Sequence, residues 1–247
     1  MVYHTDTGSG YPLILIHGLL VSGVMFKEVA PLLHAHHRLL VPDLRGHGHS
    51  HHLPGPDTIE QHAADMIALL DALGIERADV LGYSQGSTVA QQIAHHYPDR
   101  VRRLVLVCGY AFNMLTLRER VEGRLMPVLV RLLTMDQIGA LMASMASDLP
   151  PEQAEQFKQM VAATDKSRAL AAIRALQTFD SRPWLPTIPA PTLVIAGEHD
   201  EAVPLHHAQM LTQRIPDSTL RVIAGAGHTL AWTHPRALAA CILGGEG

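Results

Sequence analysis

Val80-Leu81-Gly82-Tyr83-Ser84-Gln85-Gly86-Ser87-Thr88-Val89-Ala90 decides how this chain reads. Val80-Leu81-Gly82 ends a short apolar run of the kind that forms a buried strand, whereas the residues from about Gly86 to His96 suit a helix. That helix should stop before Pro98, which disfavours helical geometry at Tyr97. Between the two lies Gly82-x-Ser84-x-Gly86. Glycine and serine are common, so the pattern alone says little; its place directly between strand and helix gives it weight. A turn that sharp strains its central residue, and flanking glycines let neighbouring backbone approach without a Cβ clash. The following helix would aim its positive end at the serine oxygen and favour negative charge there.

Outward from this turn, short apolar runs recur: Leu13–Ile16, Leu39–Val41, Leu104–Val107, Leu193–Ala196 and Leu220–Ile223. Most are apolar throughout, as in parallel strands covered on both faces. Helical stretches separate them. Thr58-Ile59-Glu60-Gln61 can form a capping box, Ala63, Met66, Ile67, Leu70 and Leu73 follow at helical spacing, and Gly74 stands at the C′ position. This alternation predicts an α/β fold with a doubly wound, mostly parallel sheet. It lapses from 112 to 182, where helices are expected near 114–133, 136–147, 151–164 and 166–178, and resumes after Pro183, Pro186, Pro189 and Pro191. The expected organisation is therefore a core of 1–111 and 183–247 with a helical cap of 112–182 inserted over one end of the sheet.

At 247 residues, with 47% apolar and 17% charged residues, the chain has the composition of a well-packed domain. A net charge of −4 offers no basic surface for nucleic acid or anionic lipid, so neither is expected as a partner. Cys108 and Cys241 read as two buried thiols of a reducing compartment. The start, Met1-Val2-Tyr3-His4-Thr5-Asp6, lacks the basic and apolar regions of a signal peptide, and a cytoplasmic location is expected.

A serine hydroxyl becomes an effective nucleophile when a base takes its proton. In a sheet of this kind the acid and then the histidine follow in chain order, each on a loop after a late strand. Gly197-Glu198-His199-Asp200 and Gly225-Ala226-Gly227-His228 occupy those two places. Asp200 is favoured over Glu198 as the carboxylate that orients His228. With 17 histidines in the chain, His228 is singled out by the glycines before it and its place beyond the final strand. His199, His206, His207 and His234 are expected at the surface. An oxyanion also needs donors, and the backbone N–H groups of Leu19, in His17-Gly18-Leu19-Leu20, and Gln85 are the natural pair. His17 reads as a hydrogen-bonding residue of that loop.

On these residues the chain resembles the α/β-hydrolase superfamily, in its capped esterase and lactonase branch. Asp43-Leu44-Arg45-Gly46-His47-Gly48-His49-Ser50 matches the D-x-R-G-x-G-x-S loop of that family, and Gly197 to Pro204 its G-x-x-D-x-x-V-P acid turn. Asp99 to Leu106 resembles the lead into its sixth strand. The match covers about 8–111 and 183–235, with little in the insertion. Three departures stand out: the family's opening hairpin has no room here, so its first strand is expected to be missing; Ser87 replaces a common glycine; and Ser84, in place of aspartate, argues against a dehalogenase or epoxide hydrolase.

The resemblance implies a serine hydrolase with the triad Ser84, Asp200 and His228, acting on a carboxylic ester or lactone with a small to medium, mainly apolar acyl group and needing no cofactor. The same triad could instead serve C–C bond hydrolysis, perhydrolysis or amide hydrolysis, and a non-catalytic small-molecule binder is the reading of another class. The insertion holds six of the ten methionines, and with Leu20 and Tyr83 the candidates for an adaptable pocket are Met114, Met126, Met142 and Met145. Arg118, Arg120 and Arg124 read as a solvated helix face. His34, His36, His37, His47, His49, His51 and His52 lack a ligand spacing, so no metal is expected, and surface charge should climb below about pH 6.5. The expected partner is a small-molecule ester or lactone, with no nucleic acid and no membrane, bound by a monomer or homodimer.

Overall fold

In the computed structural model, which describes residues 1–146 and 148–244, seven strands form one sheet. They are β1 (His4–Gly8), β2 (Tyr11–Ile16), β3 (His37–Pro42), β4 (Ala78–Tyr83), β5 (Val101–Val107), β6 (Thr192–Gly197) and β7 (Ser218–Ile223), in the order β1-β3-β2-β4-β5-β6-β7. β1 pairs antiparallel with β3 and every other pair is parallel. In place of the family's opening hairpin stands one antiparallel strand, β1. β1 is polar and largely exposed, so an apolar-run reading passes over it. β7, at the other edge, is exposed or half-buried up to Ile223, its one buried residue, unlike the buried central strands.

Alternation along each strand sends side chains to two separate cores. Ile14, Ile16, Val80, Leu104 and Leu106 pack with α2 (Ile59–Ala72) and α3 (Gln85–His96) on one face. Leu13, Leu15, Leu81, Val105 and Val107 face the other, with α1 (Ala30–Leu33). Each fully buried aliphatic side chain of this kind stabilises the fold by about 1.5–3 kcal/mol. α2 starts where Thr58 accepts from the Gln61 N–H, and Gly74 follows it in the left-handed region at φ 66°.

Between β5 and β6 lie four helices: α4 (Leu117–Leu132), α5 (Met135–Met145), α6 (Pro151–Ala162) and α7 (Lys166–Thr178). Position 147, the expected end of the second, lies outside the described residues, as do the last three residues of the chain. Thr116 with Glu119 and Thr134 with Gln137 form capping boxes that start α4 and α5. Val130, Ile138, Phe157, Val161 and Ile173 of these helices join the second core. α8 (Leu205–Arg214), α9 (Leu230–Thr233) and α10 (Pro235–Ile242) complete the chain, and Phe157 meets Trp232 edge-on at 5.8 Å. Among the described residues no helix is long and apolar enough to cross a membrane.

Candidate active site

Ser84 stands between the end of β4 and the start of α3 at φ 52°, ψ −114°, a conformation costly for any residue with a Cβ. The flanking glycines are sterically required. A Cβ on Gly82 would overlap the Gly86 carbonyl, and one on Gly86 would overlap the Ile16 carbonyl oxygen. Ser87 is accommodated because Gly109 faces it: a Cβ there would lie 2.6 Å from the Ser87 Oγ. Gly86→Ala is expected to destabilise the protein by about 3 kcal/mol or more, through overpacking against fixed backbone. Gly74→Ala, at a positive φ with nothing within 4 Å, should cost only about 1 kcal/mol. Equal denaturant midpoints for the two variants would show that the turn can open.

Three loops at the carboxyl ends of β4, β6 and β7 bring Ser84, Asp200 and His228 together. The His228 Nε2 is 3.1 Å from the Ser84 Oγ, and its Nδ1 is 2.8 Å from Asp200 Oδ2. With Nδ1–H donating to the carboxylate, Nε2 is left as an acceptor for the serine proton. Asp200 is buried, and its other oxygen accepts from the Val203 N–H at 2.7 Å. Burial alone would raise the Asp200 carboxyl, but the imidazole and the Val203 N–H outweigh it and hold the group below its usual value. Burial likewise would lower His228, yet Asp200, with a smaller contribution from Asp148, holds it above its usual value. Glu198, the other candidate carboxylate, instead accepts from the Gly225 N–H at 2.9 Å and braces the turn before His228.

Other contacts steady the imidazole. The Tyr83 hydroxyl donates to the His228 carbonyl oxygen, so Tyr83 acts behind the histidine and does not line a pocket. Cys108, at the end of β5 with φ 48°, is buried beside Asp200, and its ligand-type atoms, those of Asp200 and those of His228 lie within 4.8 Å of one another. Thr229 donates to Asp148 Oδ2 at 2.8 Å, tying the α5–α6 connection to the loop that carries His228. Asp148 lies in the insertion, where no motif pointed to it.

The loop after β2 lies beside the serine, since a Cβ on Gly18 would stand 3.4 Å from the Ser84 Cβ. This brings the Leu19 backbone and the Gln85 N–H, an orphan donor at the start of α3, to the same region. His17 holds the loop's shape: its Nδ1 donates to the Gly18 carbonyl at 2.8 Å and its Nε2 accepts from the Leu44 N–H at 2.9 Å. Leu44 belongs to the loop after β3, where Asp43 accepts from the N–H groups of Gly23 and His49, both at 2.8 Å.

Not every residue singled out in the sequence faces this site. Leu20 is fully buried in the core at φ 59°. Met126 and Met142 are partly buried against the core that also receives Leu19, and Met114 packs near Gly123 of α4. Met145 is 71% exposed, and is therefore not a lining residue. Met160, another methionine of the insertion, accepts from the Ser22 hydroxyl at 3.5 Å next to the Gly18 loop. His207 is buried rather than at the surface, because its Nε2 lies 3.2 Å from Glu119 Oε1, joining α8 to α4. With His206 these groups are close enough to share an ion, whereas no three of the seven clustered histidines converge among the described residues.

The chain from 11 to 235 matches the family model described as alpha/beta hydrolase fold. It is 32% identical over 254 residues to the 2-hydroxymuconate semialdehyde hydrolase of Pseudomonas sp. (strain CF600), across 92% of this chain and 83% of that one. A thermophilic esterase from Thermogutta terrifontis, solved with malate bound, superposes with a TM-score of 0.87 at 30% identity, covering 98% of this chain and 92% of its own. The enol-lactonase from Burkholderia xenovorans LB400 gives the same TM-score at 26% identity, covering 98% and 95%. A serine on a strained strand-to-helix turn, a histidine within reach of it and a matched span of nearly the whole chain lead to one conclusion: this protein belongs to the α/β-hydrolase family, and it is a hydrolase.

Proposed function

We propose that the protein hydrolyses a carboxylic ester or lactone with a small to medium, mainly apolar acyl group, through an acyl-enzyme on Ser84. The observation that carries this reading is the hydrogen-bonded chain Ser84–His228–Asp200, with the Gly18 loop alongside the serine. Ser84 Oγ attacks the carbonyl carbon as its proton passes to His228 Nε2, and Asp200 stabilises the resulting imidazolium. The N–H groups of Leu19 and Gln85 hold the oxyanion. On collapse the C–O bond to the leaving oxygen breaks and His228 returns the proton to that oxygen. Water, deprotonated by His228, then attacks the acyl carbon, and the acid leaves as Ser84 regains its proton. The four helices between β5 and β6 serve as the cap, with Met126 and Met142, partly buried against the second core, as its adaptable apolar surface.

The semialdehyde hydrolase relative supports a second reading, in which the same groups cleave a C–C bond beside a carbonyl. A graded panel of nitrophenyl esters, γ- and δ-lactones and a diketone, with a fluorophosphonate label, separates the two. Esters or lactones of short to medium chain should turn over fastest, and the label should sit on Ser84. Faster cleavage of the diketone would favour the second reading; no labelling and no turnover would leave a binder.

A further inference from the structure

The solvent face of α4 has a composition that an enzyme cap does not need. Leu117, Val121, Leu125, Val128 and Leu132 are 78%, 55%, 49%, 43% and 77% exposed. At about 100° per residue they fall within an arc of about 80°, a continuous stripe along a helix about 24 Å long. Arginines border it. Arg120, Arg124 and Arg131 lie along one edge, all exposed, and Arg118 lies on the other, 2.7 Å from Glu122. Glu119, the helix's other acid, is turned inward to His206 and His207, so the exposed charge beside the stripe is predominantly positive.

We infer that this face of α4 docks on an anionic lipid surface. An aliphatic stripe between arginines matches the interfacial amphipathic helix, whose apolar side chains enter the headgroup boundary while cations meet anionic headgroups. Charge argues against a second copy as occupant. In an antiparallel pair like edges meet, so Arg120, Arg124 and Arg131 would face their own copies; in a parallel pair they would face an edge whose Arg118 and Glu122 already pair with each other. The whole-chain charge of −4 hides this surface, where four arginines of α4 stand against one exposed acid of the helix, Glu122. α4 follows β5 and its Glu119 holds α8, so docking through it would orient the capped end of the sheet toward the membrane.

Co-sedimentation of the full chain with phosphatidylcholine vesicles, with and without about 30% phosphatidylglycerol, tests this. Binding to the anionic vesicles should be at least about tenfold stronger than to the neutral ones, and should weaken as salt rises. The pair Val121→Glu/Leu125→Glu and the pair Arg124→Glu/Arg131→Glu should each lower it at least about tenfold. Both should leave turnover of a dissolved nitrophenyl ester unchanged, since neither pair touches the triad. The inference is overturned if wild type and both variants sediment equally. It is equally overturned if no vesicle binding occurs, including the case where ultracentrifugation shows a dimer that Val121→Glu/Leu125→Glu dissociates.

Discussion

Ser84→Ala should lower kcat/KM for the best ester or lactone substrate by about 10⁴–10⁶-fold, equivalent to about 5–8 kcal/mol of transition-state stabilisation. The expected loss is this large because in the proposed mechanism the hydroxyl is the bond-forming atom, while His228 and Asp200 act only through it. The residual rate would come from the oxyanion donors and substrate binding. The fold should hardly notice: alanine keeps the Cβ at φ 52°, and the lost Oγ–Nε2 contact of 3.1 Å is partly exposed. Ser84→Gly should be as inactive but more stable by about 1 kcal/mol, because glycine relieves the strain at a positive φ. Paired turnover and denaturation measurements on the three proteins check both halves. A Ser84→Ala enzyme with more than about a tenth of wild-type kcat/KM would remove Ser84 from the nucleophile's role.

The second large effect lies in acid. Histidine-rich composition suggests a surface that gains charge below about pH 6.5, but several of the 17 histidines are interior. His17, His47 and His62 form a buried row with ring centroids 5.2 and 6.3 Å apart, behind the Gly18 loop. Burial pushes His17 and His62 down to about 3, with His47 adding to the effect on each, and lowers His47 as well. These rings are neutral when folded and take a proton when unfolded, so the unfolded state binds more protons between about pH 3 and the unfolded value near 6.5. Stability therefore falls as pH drops through that window. At pH 5 His17 and His62 together should cost about 4 kcal/mol, a large part of a typical domain's 5–15 kcal/mol. His228 works the other way: its folded value is raised, so its protonation favours the folded state while removing the acceptor that the proposed mechanism needs. Activity should thus fall first, reversibly, with a limb above the ordinary histidine value, and unfolding should follow at lower pH.

Denaturant midpoints from pH 7.5 to 4 read the stability, and His62→Leu isolates one contribution. Neither ring nitrogen of His62 has a partner among the described residues, so leucine forfeits no hydrogen bond. The variant should lose about one proton from the pH dependence of stability. An unchanged slope would mean that His62 is charged or hydrated in the folded protein.

How far the sequence could be read depended on whether an element is specified locally. The apolar runs, the helix stop before Pro98, the Thr58 N-cap and the glycines around Ser84 each act within a few residues, so β2 to β7, α2 and α3 were legible beforehand, although the Gln61 side chain turns to Asp65 and leaves the expected capping box half-formed. So were Ser84, Asp200 and His228 as candidates, because each follows, directly or on a short loop, a strand whose apolar run announces it. β1 was not, since an edge strand facing water carries no apolar signature. His207, buried against Glu119 from a helix nearly 90 positions away, and the row of His17, His47 and His62 were equally invisible. Tyr83 shows the limit most plainly: its identity was read in the motif, but only the packed fold could direct its hydroxyl to the His228 carbonyl. Strand periodicity and turn chemistry are short-range and leave their mark on neighbouring residues. Burial, pKa and the partner of a polar group depend on what tertiary packing brings from elsewhere in the chain. The candidacy of Ser84, Asp200 and His228 was therefore written along the sequence, while their hydrogen-bonded grouping, the elevated basicity of His228, the bracing from Asp148 and Tyr83, and the exposed outer face of α4 were decided only when the chain folded.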